Sequence, residues 1–98
     1  MTIKQNRIED KLTVALEGRL DTTTAPELEE ALRAAMDGVA LLELDLAKLE
    51  YISSAGLRVL LSAQKQMNKQ GTMTVKNVGE PIMDIFEVTG FSEILTIE

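Results

Sequence analysis

The segment LLELDLAKLEYISSAGLRVLL, Leu41–Leu61, changes its hydrophobic period partway along, and that change decides the fold. Leu41 to Leu46 is a short apolar run interrupted by Glu43 and Asp45, which reads as a strand. Leu57, Leu60 and Leu61, continued by Ala63, Gln64 and Met67, follow the spacing of a helix. Ser53 and Ser54 lie where one pattern gives way to the other, at the expected helix N-terminus. There the first backbone N–H groups lack partners and the helix dipole is positive, so a phosphate on a serine oxygen finds donors and a favourable potential. Serine is also a favoured N-cap, so chemistry alone leaves capping open as the whole role of either residue. Gly56, with Ala55 beside it, is expected to keep the rim small and let a modifying enzyme approach the backbone.

The same alternation extends in both directions. Upstream, residues 2 to 7 form a strand, Glu9-Asp10 a turn, and Leu12, Val14 and Leu16 alternate with Thr13, Ala15 and Glu17 as a half-buried strand, giving an N-terminal hairpin. Thr24 and Glu27 have the spacing of a capping box and Pro26 suits a first turn. Leu28, Ala31, Leu32, Ala35 and Met36 then make an amphipathic helix that stops near Gly38. Downstream, Gly71 ends the second helix, Met73 and Val75 mark a strand ending at Asn77, and Pro81 opens a third helix through Ile82, Ile85 and Phe86 to Gly90. A last strand is expected over Ile94–Ile97. The fold class predicted is α/β: a mixed parallel and antiparallel sheet of four to five strands with three to four helices, in one domain over residues 1–98.

Composition narrows the chemistry. The 98 residues contain no His and no Cys, which removes imidazole-based catalysis, thiolate nucleophiles, disulfides and the usual zinc sites. Neither a metal site nor a cofactor is expected. A net charge of −6 opposes nucleic acid and anionic membranes. With no apolar run long enough for a membrane span and no export signal in MTIKQNRIED, the expected setting is the cytoplasm.

Four ordered blocks sharpen the reading: LEGRLDTTTAPEL at Leu16–Leu28, ELDLAKLEYISSAGLRVLL at Glu43–Leu61, GTMTVKNV at Gly71–Val78 and FEVTGFSEIL at Phe86–Leu95. In these the chain resembles the STAS-domain anti-sigma factor antagonists, or anti-anti-sigma factors, over nearly its whole length. The resemblance implies the STAS fold and phosphorylation of the serine two positions before the Gly-Leu pair, which is Ser54. It implies partner switching, in which the unphosphorylated antagonist binds an anti-sigma factor that is also a GHKL-type serine kinase and so frees a sigma factor for transcription. Phosphorylation ends that binding, and a metal-dependent serine phosphatase resets it. ATP and magnesium belong to those partners, and this chain is then their substrate and ligand, expected as a monomer and not an enzyme.

One position departs from the family pattern. Many members carry aspartate immediately before the modified serine, where this chain has Ser53, which makes Ser53 a possible second acceptor. Asp21 in the GRLD loop and Asp45 match motif positions and are expected near the Ser54 end of the sheet as secondary partner contacts. Arg58 and Ser62, exposed on the second helix, are expected to join Ser53, Ser54, Ala55 and Gly56 in the partner-binding surface. Lys65 and Lys69 read as a solvated face. Other classes fit less well. A receiver with phosphoaspartate at Asp45 lacks room and the acidic pair it needs, and a serine hydrolase lacks GxSxG and a base. A non-phosphorylated STAS scaffold or nucleotide-sensing module is the alternative within the fold.

Overall fold

The computed structural model describes residues 1–98. Strands β1 (Thr2–Ile8) and β2 (Lys11–Leu20) form an antiparallel hairpin, with Glu9 at φ 56° in its two-residue turn. Helix α1 (Ala25–Ala35) leads to β3 (Leu41–Ile52), which pairs parallel with β2, and α2 (Ser54–Gln70) leads to β4 (Thr72–Lys76), which pairs parallel with β3. Helices α3 (Glu80–Thr89) and α4 (Phe91–Ile94) complete the chain. The sheet order is β1-β2-β3-β4. Both parallel crossovers step in the same direction, so the right-handed rule places α1 and α2 on the same face, where they touch each other.

That face holds the core. Leu12, Val14, Leu16 and Leu20 of β2 and Leu42, Leu44, Leu46, Leu49 and Ile52 of β3 meet Leu28, Leu32 and Met36 from α1 and before β3, Leu57, Leu60 and Met67 from α2, and Ile82 and Phe86 from α3. Each large aliphatic side chain sealed there contributes about 1.5–3 kcal/mol relative to exposure. The opposite face is polar and laced with ion pairs: Lys4 to Glu17 at 3.0 Å, and Glu43 between Lys11 and Lys76 at 3.2 Å each.

Three expectations require correction. The final strand shrinks to a single parallel bridge between Val75 and Ile97, because Phe91–Ile94 closes a helical turn instead. Strand β3 does not end at Leu46. It passes an irregularity in its register with β2 and continues to Ile52, so the alternation breaks at Ala47-Lys48 while the strand persists. The Thr24–Glu27 capping box does not form, since the Thr24 hydroxyl accepts the Asp21 N–H at 2.8 Å and donates to the Arg19 carbonyl at 2.8 Å. Asp21 takes over the helix entry, its Oδ1 accepting the N–H groups of Thr23 and Thr24 at 3.0 and 3.1 Å.

Candidate functional site: the serine-headed end of the second helix

Strand β3 delivers the chain to the C-terminal end of the sheet, where Ser53 remains extended (φ −96°, ψ 175°) and α2 begins at Ser54. The junction is pinned three ways. The Ser53 N–H donates to the Leu20 carbonyl at 2.9 Å, extending the β2–β3 ladder by one rung. The Ser53 carbonyl accepts from Leu57 N–H at 2.9 Å, and its side-chain oxygen accepts from Gly56 N–H at 3.3 Å as an N-cap. Ser53 is therefore half-buried and engaged, while Ser54, one residue on, is exposed. The two adjacent hydroxyls have different work: one closes the helix end and the other faces solvent.

Gly56 is buried, and its expected role at an open rim is corrected. A Cβ built there would stand 2.7 Å from Leu20 Cγ and 2.9 Å from Ile52 Cγ1, inside any tolerable contact. The absence of a side chain lets the first turn of α2 settle onto the ends of β2 and β3, and this packing fixes where Ser54 points. Ala55 is half-buried against the core, whereas Arg58 and Ser62 are exposed one and two turns further along α2. Ser62 also borders a small cleft between α1 and α2 whose floor includes Leu32, Met36 and Val59.

Asp21 lies beside this junction, since Leu20 pairs with Ile52 and bonds Ser53. The Thr24 N–H, with help from the Thr23 N–H and the Arg19 charge, holds the Asp21 carboxyl below the usual aspartate range despite partial desolvation. Asp45 is not brought to the site. It sits within β3, with Oδ1 accepting from Ala47 N–H and Asn77 Nδ2, each at 3.0 Å. Seven strand steps at roughly 3.3 Å, about 23 Å of strand, separate it from Ile52, and the serines lie beyond that. It pins the β3 irregularity and the end of β4 rather than shaping the Ser54 surface.

Two residues that the sequence did not single out also line this end of the sheet. Arg19 and Tyr51 face each other across the β2–β3 ladder, with the guanidinium 4.3 Å from the ring centroid and its Nε 3.9 Å from Asp21 Oδ2. Only the cross-strand register brings them together; nothing in their local sequence signals it.

Fold and site together define a class: a four-stranded sheet with its helices against one face and, at the C-terminal end of the central parallel strand, a helix that begins on an exposed serine. Residues 3–96 match the family model described as Mlab, STAS domain. The putative anti-sigma factor antagonist BtrV of Bordetella bronchiseptica is 35% identical over 99% of this chain and 85% of its own length. The anti-sigma-B factor antagonist of Bacillus subtilis is 32% identical over 97% of this chain and 86% of its own. Among solved structures, an anti-sigma factor antagonist from Mycobacterium paratuberculosis superposes with a TM-score of 0.88 at 26% identity, covering 98% of this chain and 83% of that one. SpoIIAA in its phosphorylated form shares the fold at a TM-score of 0.77 and 14% identity, over 99% of this chain and 91% of that one. The chain belongs to the STAS-domain family of anti-sigma factor antagonists.

Proposed function

We propose that residues 1–98 act as a single STAS domain that antagonises an anti-sigma factor, binding it while Ser54 is unmodified and releasing it once Ser54 is phosphorylated. The observation that carries this reading is the division of labour at the β3–α2 junction. Ser53 caps the helix, so Ser54 is presented as an exposed hydroxyl on a rigid first turn. The related antagonists named above supply the class of partner.

A phosphate adds about −1.5 to −2 charges and three acceptor oxygens to a surface that met its partner with a neutral hydroxyl. One partner carboxylate about 5 Å from one phosphate charge repels it by roughly 3 kcal/mol at an effective dielectric near 20, or about two decades of affinity. Favourable placement at the helix N-terminus returns only about 1 kcal/mol, so charge repulsion decides the outcome. In this scheme an anti-sigma factor with GHKL-type kinase activity adds the phosphate and a metal-dependent phosphatase removes it. The domain itself is substrate and ligand rather than enzyme. Asp21, Arg58 and Ser62 extend the contact surface around Ser54.

The test is binding of Ser54→Ala and Ser54→Asp to the anti-sigma factor kinase of the same organism. Ser54→Ala is expected to bind as the unmodified chain does and to resist weakening by ATP, with Ser54→Asp at least about tenfold weaker. Equal affinities for the two variants would remove the switch.

A further inference from the structure

Helix α2 contains no acidic residue in its seventeen positions, although the chain as a whole carries a net charge of −6. Its cations are Arg58, Lys65 and Lys69. Arg58 follows Ser54 by four residues, so the two side chains emerge on the same helix face, and both are exposed. None of the ion pairs in the structure involves Arg58. The other arginine near this end of the sheet, Arg19, is already engaged by the Tyr51 ring and Asp21. Arg58 is thus a cation without a counter-ion on its own helix, one turn above the hydroxyl that would acquire negative charge.

We propose that Arg58 is the intramolecular counter-ion of the phosphate on Ser54, an inference that rests on Ser54 being the modified residue. The order along the helix is the favourable one, with the anion on the N-terminal side of the cation four residues later. A guanidinium presents a planar fork of donors to phosphate oxygens, and the link is charge-assisted. Modification then does two things at once. It places a dianion on the docking surface, and it draws Arg58 out of reach of any partner carboxylate that the unmodified domain would engage. The local surface then presents an ion pair where it had offered a free guanidinium, so the partner loses that contact while Arg58 offsets part of the phosphate's repulsion.

The experiment uses the full chain with phosphoserine installed at position 54 by genetic-code expansion, so that no kinase is needed. The second ionisation of the phosphate is followed by phosphorus NMR across pH at low ionic strength. The other charged groups at this end, Asp21 and Arg19, are left in place throughout. Arg58→Gln is expected to raise the apparent pKa, weakening the second ionisation at least about twofold. Lys65→Gln, nearly two turns further along α2, is expected to leave it unchanged. Both positions are exposed, so neither substitution removes core packing. Coincident titrations for the parent and Arg58→Gln would overturn the assignment, as would an equal shift from Lys65→Gln. Failure of partner switching would be seen elsewhere, as a phosphorylated chain that binds the anti-sigma factor unchanged, and the titration does not depend on that result.

Discussion

Leu20 and Gly56 approach so closely that a Cβ on the glycine would lie 2.7 Å from the leucine Cγ. Leu20 is fully buried at the end of β2 and cannot retreat without opening the core, and Ile52 blocks the second direction at 2.9 Å. Gly56→Ala is therefore expected to push the first turn of α2 off the sheet. Overpacking of this kind costs about 1–3 kcal/mol, read as a lower urea midpoint. Because Ser54 rides on that turn, partner affinity should fall as well, in a variant whose site side chains are all intact.

Ser53 and Ser54 separate by substitution. Ser53→Ala removes the oxygen that accepts the Gly56 N–H and is expected to cost about 1 kcal/mol of unfolding free energy. Ser53→Asp restores an equally favoured cap and adds a negative charge at the positive end of α2, so its stability should stay within a few tenths of a kcal/mol of the parent. Ser54→Ala, which removes no cap, should leave the urea midpoint unchanged. A Ser53→Ala variant as stable as the parent would show that the capping bond contributes nothing.

Which parts of this arrangement the sequence disclosed follows from the range of the interactions. The helices were legible because Pro26, Pro81, Gly71 and Gly90 punctuate them and their apolar stripes are local patterns. The reach of β3 to Ile52 was not, because the irregularity near Ala47 puts two exposed residues side by side and imitates the end of a strand. That error misplaced Asp45, since a strand ending at Leu46 would have set it beside the serines. The capping-box motif at Thr24 and Glu27 was misleading for a related reason: Asp21, three residues earlier, accepts the Thr24 N–H that Glu27 would have taken, and its own N–H occupies the Thr24 hydroxyl. The place of Ser53 and Ser54 at the start of α2 was readable from the change of hydrophobic period. Gly56 as a packing requirement, and Arg19 on Tyr51, depend on which residues the β2–β3 register places opposite one another.

Asp21 anchors the entry to α1 through two backbone N–H groups, so Asp21→Ala is expected to cost about 0.5–2 kcal/mol, and Asp21→Asn, which keeps an acceptor oxygen, less. The pair also tests the recognition role. If Asp21 meets the partner through its charge, Asp21→Asn lowers affinity while largely sparing stability, and an affinity equal to that of the parent would confine the residue to its turn.

Glu43 sets part of the acid limit of stability. Its side chain is only 11% exposed on the polar face of the sheet, and desolvation alone would raise its pKa. Hydrogen bonds and charge from Lys11 and Lys76, both at 3.2 Å, outweigh that and hold the folded carboxyl below its ordinary value of 4.5. A carboxyl with a depressed folded pKa stabilises the protein fully above its unfolded pKa and loses that contribution as pH falls through the folded value. Urea unfolding of the parent should therefore show stability declining below about pH 4.5, a slope shared with Glu17 and Asp21, whose carboxyls are also held low. Glu43→Gln should be less stable than the parent at pH 7, because it leaves two lysines facing each other across β3 without their counter-ion. Its stability should also fall less steeply below pH 4.5, so that the two curves converge in acid. A constant gap between the curves from pH 7 to pH 3 would show that the loss comes from packing or hydrogen bonding and that the Glu43 charge does not set the acid limb.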